Sequence, residues 1–188
     1  MVDSYGSVTS VSEEFLLNII LPIRDNCKYA VNSTDDFKTA LLEHRHTFDQ
    51  EYHEICSYHA QSLYTNININ RTISYVLDEI YKNPSSYFKT ETDAHRNNID
   101  LVFPPRDIFK RFFYDTLVEF SSFSTVAGYY KQIQGLPMGS RLNPILADLF
   151  MNLMEESYII GNKNVVFYKR YIDEILVIQK KGNMNTTD

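Results

Sequence analysis

The stretch Gln134-Gly135-Leu136-Pro137-Met138-Gly139-Ser140-Arg141-Leu142-Asn143-Pro144 has the residue types of an anion-binding loop. Two glycines flank a Leu-Pro-Met corner, and glycine permits positive φ and close approach of another molecule. Ile145, Leu146, Leu149, Phe150, Leu153 and Met154 then recur on one face of a helix. Asn143 is the expected N-cap, with Pro144 at the first helical position. A glycine loop that opens a helix offers its N–H groups and dipole to a phosphate. An ordinary loop-to-helix junction has the same spacing, and both readings stand on spacing alone. A second group is Asp173-Glu174, between the apolar runs Val165–Tyr168 and Ile175–Ile178, which have hairpin length. Two carboxylates on such a turn are carried where solvent and a ligand reach them. His44, His46 and His53 also fall close together, but no cysteine or carboxylate pattern accompanies them, so scattered surface histidines are expected.

These groups need elements to position them. Ser12 is expected to cap a first helix with Phe15, Leu16, Ile19 and Ile20 on its apolar face, ended or kinked by Pro22. Asn32-Ser33-Thr34-Asp35-Asp36 caps a second helix through Phe37, Leu41 and Leu42. Ile55–Leu63 reads as a strand and Tyr64–Asn70 as the turn after it. Asn70 should cap a helix from Arg71 to Lys82, with Ile73, Val76, Leu77 and Ile80 inward and a stop at Asn83-Pro84-Ser85-Ser86. Residues 89–100 are polar and read as a surface loop. Pro104-Pro105 starts a helix carrying Ile108, Phe109, Phe112, Phe113, Leu117 and Phe120. Phe123–Gln134 suggests a hairpin around Gly128, and Gly161–Asn164 a turn.

The chain has 188 residues, 44% of them hydrophobic, which suits one packed domain or part of a larger protein. No apolar run is long enough to span a membrane, and the N-terminus lacks the features of a signal peptide. Cys27 and Cys56 show neither metal-ligand spacing nor disulfide density, so an intracellular, non-secreted setting is expected. The net charge of −6 argues against a free-standing nucleic-acid binder, which usually carries a basic face. Fourteen tyrosines and twelve phenylalanines supply more aromatic surface than a few base-stacking positions need, so most are expected in the core.

Together the strings resemble the palm of reverse transcriptases, and among these the Penelope-like retroelements (retrotransposons). The carriers are Ser62-Leu63-Tyr64-Thr65-Asn66-Ile67, then Gln134–Ser140 with Pro144-Ile145-Leu146-Ala147-Asp148-Leu149, then Tyr171-Ile172-Asp173-Glu174. They stand in the order of the family's motifs A, B and C, over residues 30 to 180. The resemblance implies an α+β polymerase palm: an antiparallel sheet with helices, from about 71–82 and 143–158, on one face and the duplex on the other. Residues 1–52 would be a partial, helical fingers region, 53–180 the palm and 181–188 a frayed tail. It implies an RNA-directed DNA polymerase, a nucleotidyltransferase acting on a primer-template of RNA or DNA with a dNTP. Two Mg²⁺ ions, with Mn²⁺ as the alternative, would be held by carboxylates of motifs A and C. Carried over, Asp173 and Glu174 are the metal ligands. Tyr64 would lie under the incoming sugar and exclude a 2′-hydroxyl. Gln134 and Gly135 would lie along the nucleotide and template base.

Two positions depart from the family pattern. Glu174 stands where an Asp is usual, and its extra methylene displaces the carboxylate; a misplacement of about 1 Å can cost on the order of 10²-fold. His59 stands where motif A has its catalytic Asp, and imidazole is a nitrogen ligand poorly matched to Mg²⁺. Glu54 is five residues away and on a strand faces the other side. Both departures are single-base changes, as in a decaying copy of an element. The thumb and C-terminal endonuclease of such elements have no counterpart in this sequence, and the basic surfaces would lie with them. The expectation is a reverse-transcriptase fragment with activity impaired by His59 and Glu174. The alternatives are a polymerase that tolerates His59 and a non-catalytic nucleic-acid-binding or interaction module.

Overall fold

Local signals account for most of the elements, while several of their ends lie elsewhere than expected. The computed structural model describes residues 10–83, 103–119, 122–136 and 139–182. Helix α1 spans Ser10–Asp25 and buries Leu16, Ile19, Ile20 and Ile23. Ser12 is therefore inside the helix and not its cap, and the helix continues past Pro22 to Asp25. Near a C-terminus the proline removes only one hydrogen bond, so the helix survives it. Phe15 is not sealed in; it is 47% exposed and meets Phe109 and Phe112 edge-on.

Helix α2, Thr34–His44, begins as expected: Asp36 N–H donates to Ser33 Oγ at 3.1 Å. Strand β1 is His53–His59, so the strand starts and stops earlier than the expected Ile55–Leu63. Ser62 takes φ +52, and Leu63–Asn66 forms a short helix, α3. Helix α4, Ile69–Lys82, is capped by Asn68, whose Oδ1 accepts from Arg71 N–H at 3.0 Å. The expected cap, Asn70, lies inside this helix. Asn68 and Asn70, on either side of Ile69, offer the same side chain, and the register that buries Thr72, Ile73, Val76, Leu77 and Ile80 selects the earlier one.

Helix α5, Arg106–Tyr114, passes into a π-helical turn at Asp115–Glu119, so the α-helix expected to run from Pro104-Pro105 to Phe120 ends early. Strands β2 (Ser122–Thr125) and β3 (Gly128–Lys131) form the expected hairpin. Helix α6 is Leu142–Tyr158. Asn143, the expected cap, is a buried residue in its first turn, and Ser140 Oγ accepts from Leu142 N–H at 3.1 Å instead. Strands β4 (Val165–Tyr171) and β5 (Glu174–Lys180) reach further than their apolar runs, which narrows the expected turn of six residues to Ile172-Asp173. The loop at 89–100, the stop at Pro84-Ser85-Ser86, Phe120, the Pro137-Met138 corner and the tail from 183 lie outside the described residues.

The chain divides into two compact units. The first holds residues 1–26 and 64–150, thus α1, α4, α5, the β2–β3 hairpin and the first half of α6. Its buried side chains include Leu16, Ile20, Ile73, Leu77, Ile80, Phe113, Leu142 and Leu146. Arg24 Nε donates to Asp148 at 3.0 Å within it. The second unit holds residues 27–63 and 151–188. Its sheet is antiparallel, in the order β1-β5-β4. Ala40, Phe167 and Ile178 form its core, with Phe37, Leu41, Phe48 and Leu176 packed around them. Phe37, His44 and Phe48 set their rings edge-on to Phe167.

Candidate functional site

The central strand of the sheet begins at Glu174 and pairs on both sides. His59, the last residue of β1, is opposite Glu174, and Tyr171, the last of β4, is opposite it on the other edge. Ala60 N–H donates to the Asp173 carbonyl at 2.8 Å, which ties the end of β1 to the hairpin turn. Sheet register therefore brings His59, Asp173 and Glu174 together, with ligating atoms all within 4.8 Å of one another. They form the one group of three potential ligands among the described residues.

His59 and Glu174 are both exposed, and His59 Nδ1 is 3.0 Å from Glu174 Oε1. A carboxylate only accepts, so the hydrogen between them is on Nδ1. Glu174 thus has a partner already, and a cation binding there competes with that hydrogen bond. Asp173 is half-buried.

Ile172, the first of the two turn residues, has φ +57. A β-branched residue there is strained, at a cost of about 1–3 kcal/mol. The neighbouring structure holds it. Arg170 Nη1 donates to the Ile172 carbonyl at 2.9 Å, and Arg170 Nε donates to Glu155 Oε1 at 2.6 Å. The side chains of this pair are 0% and 2% exposed. Tyr168 donates its hydroxyl to the same Glu155 oxygen at 3.0 Å. Burial, then the Glu155 charge beside it, pushes the Tyr168 hydroxyl well above the ordinary tyrosine range.

Tyr64, Gln134 and Gly135 are gathered in the first unit. Leu136 N–H donates to the Tyr64 carbonyl at 2.8 Å. Gly135 has φ +70, and a Cβ there would strike the Tyr64 carbonyl and come within 2.6 Å of Thr65 Cα. Only glycine fits this contact. Gln134 is exposed and its carbonyl accepts from Gln132 Nε2 at 2.9 Å. A cavity of about 330 Å³ adjoins the loop, lined by Asn66, Asn70, Tyr114, Gln132, Gln134 and Gly135 among others.

The other three described histidines have local partners. His44 Nδ1 meets the Ala40 carbonyl, His46 Nε2 accepts from Arg45, and His53 Nδ1 accepts from Asp49 N–H. The Arg170–Glu155 pair escaped the sequence reading. Arg170 stood in a charged run that reads as turn, and Glu155 in a helix read for its apolar stripe. Helical spacing gave no signal for it, because Glu155 falls opposite the Ile145–Met154 stripe, on the side of Asp148 and Asn152.

No protein-family model matches this chain, and no curated protein matches it. Solved structures of telomerase, a reverse transcriptase, do. The apo telomerase of Candida tropicalis, truncated from its C-terminal domain, superposes with a TM-score of 0.58 at 13% identity, covering 94% of this chain and 35% of that one. The C. tropicalis telomerase in complex with a TWJ fragment of telomeric RNA gives 0.62 at 14% identity, over 94% and 29%. The corresponding Candida albicans complex gives 0.55 at 16%, over 92% and 30%. This chain spans about a third of the length of these structures. The likeness gives it a reverse-transcriptase-like α+β polymerase fold. No helix among the described residues is long and apolar enough to cross a membrane.

Proposed function

We propose that this chain carries a reverse-transcriptase palm over 53–180 with fingers residues over 1–52, whose nucleotidyl-transfer centre is impaired by His59 and Glu174. The observation that carries this reading is the convergence of His59, Asp173 and Glu174, within 4.8 Å, at one end of the antiparallel sheet in a reverse-transcriptase-like fold. The Penelope-like assignment rests on the three quoted strings alone.

The donor set decides which cation fits. Asp173 and Glu174 offer the hard oxygens that Mg²⁺ requires, and His59 offers a nitrogen that Mn²⁺ accepts more readily. Asp173 and Glu174 would hold the ion. When bound, such ions lower the pKa of a primer 3′-hydroxyl and stabilise charge on the transferring phosphate. The protein's own groups limit this. Glu174 accepts from His59, so one of the two carboxylates is engaged, and a protonated His59 repels a cation. Loss of one member of such a catalytic unit costs roughly 10³-fold or more.

Tyr64, Gln134 and Gly135 are the proposed nucleotide contacts, with Gly135 packed against the Tyr64 and Thr65 backbone and so holding the loop beside Tyr64. A primer-template of RNA or DNA and a dNTP are the proposed partners. Support comes from the Candida telomerases, two of which are seen with a fragment of telomeric RNA.

Primer extension on an RNA template, comparing the chain with His59→Asp in Mg²⁺ and in Mn²⁺, tests the reading. We expect extension to rise by roughly 10²-fold or more in Mg²⁺ for His59→Asp. Efficient extension by the unsubstituted chain in Mg²⁺ sinks the impairment. Extension in Mn²⁺ alone favours a second reading, an active polymerase tolerating His59, for which the nitrogen among the ligands speaks. Salt-dependent binding of primer-template with no extension by either protein favours a non-catalytic module.

A further inference from the structure

We infer that Arg170, clamped by Glu155, is a positioning residue that holds the Ile172-Asp173 turn in its strained conformation and so aims Asp173 at the proposed ion; this rests on the metal reading above. A buried guanidinium needs a use for each of its edges. Nε and Nη2 face Glu155, at 2.6 and 3.5 Å, while Nη1 reaches the Ile172 carbonyl at 2.9 Å. That carbonyl belongs to the residue with φ +57, and the next residue is the carboxylate Asp173.

The base of the clamp is itself fixed. Arg170 N–H donates to the Tyr29 carbonyl and its own carbonyl accepts from Val31 N–H, each at 2.9 Å. Tyr168 hydroxyl holds the Glu155 oxygen, and Tyr29 covers the Tyr168 ring edge-on at 5.4 Å. Every group in this assembly belongs to one compact unit. A buried ion pair is weak evidence for stability, and apolar residues of similar volume often serve as well. What an apolar pair cannot do is donate to the Ile172 carbonyl. An isolated strained turn would relax by turning that carbonyl away, and Asp173 would move with it.

Lysine at 170 keeps the charge for Glu155 but has a single head, which cannot face Glu155 and Ile172 in the same fork geometry. Mn²⁺ binding by the full chain, followed by electron paramagnetic resonance, reads the outcome without any need for turnover. We expect Arg170→Lys to remain folded by far-ultraviolet circular dichroism and to bind Mn²⁺ roughly 10-fold more weakly, the size seen when a group behind a metal ligand is removed. A folded Arg170→Lys with unchanged Mn²⁺ affinity overturns the inference. If Arg170→Lys does not fold, the unsubstituted chain decides by nuclear magnetic resonance. Arg170 Nη1 hydrogens that exchange slowly, and shift as Mg²⁺ is added, support the clamp; exchange at the rate of free arginine overturns it. Asp173→Asn separates the two readings. If it binds Mn²⁺ as tightly as the unsubstituted chain, the metal reading falls, and the Nη1 exchange still decides whether Arg170 holds the turn.

Discussion

At the scale of single residues, two of the left-handed backbone conformations lie in segments tied to the candidate chemistry. Ile172 takes φ +57 beside Asp173, and Gly135 takes φ +70 against the backbone of Tyr64 and Thr65. The difference between them is that glycine meets no steric penalty there and isoleucine does. Gly135→Ala should therefore be costly twice, once for the left-handed backbone and once for the collision with the Tyr64 carbonyl. Gly161 isolates the first of these costs, since it has φ +82 and a Cβ added to it would meet nothing within 4 Å. We expect Gly161→Ala to cost about 1 kcal/mol and Gly135→Ala at least ~2 kcal/mol, by urea denaturation. Equal costs at the two positions would show that the loop moves freely away from Tyr64.

At the scale of elements, what reads clearly from the sequence is what periodicity and caps control. The stripe Ile73, Val76, Leu77, Ile80 is buried as expected in α4, and Ser33 caps α2. The errors lie at ends, where two equivalent signals compete: Asn68 against Asn70, and Ser140 against Asn143. Tertiary pairing also outweighs local composition. Lys169, Arg170 and Tyr171 are polar enough to read as turn, yet they pair with β5 and leave only two residues to turn. The β4–α6 contact was illegible for the same reason, since Arg170 and Glu155 acquire meaning only as a pair. Tyr168 gives that contact a pH signature. Its folded-state pKa is raised above the unfolded value near 10, so its contribution is full below that pH and is lost as pH rises above it. We expect urea stability to fall progressively as pH rises above about 10, the ordinary tyrosine pKa. Tyr168→Phe should lose about 1–2 kcal/mol at pH 8 and show a shallower alkaline fall, with the residual fall shared by Tyr81, whose hydroxyl burial also raises. An equal alkaline fall in both proteins would remove Tyr168 from that role.

At the scale of the whole molecule, the candidate ligands were legible as a constellation only through the family resemblance, which put His59 in motif A and Asp173 and Glu174 in motif C. Asp173 and Glu174 announce themselves by adjacency, whereas His59 joins them only because β1 pairs with β5 in a register that places it opposite Glu174. Charge is the property that belongs to the chain entire. Eighteen basic residues face twenty-four acidic ones, so a phosphate backbone meets net repulsion unless basic side chains concentrate on one face. Each phosphate neutralised contributes about 0.9 to the slope of log affinity against log salt on duplex, and about 0.7 on single strands. The described arginines are largely committed: Arg24 to Asp148, Arg106 to Asp78, Arg111 to Asp115 and Arg170 to Glu155. We therefore expect primer-template binding by this chain to be weak, with a slope no steeper than about 3, corresponding to a few phosphates. Fluorescence anisotropy across salt concentrations measures it. A slope of roughly 6 or more would mean that the excess of acids is held away from a basic groove, and would move the reading from an impaired polymerase toward a module that binds nucleic acid without copying it.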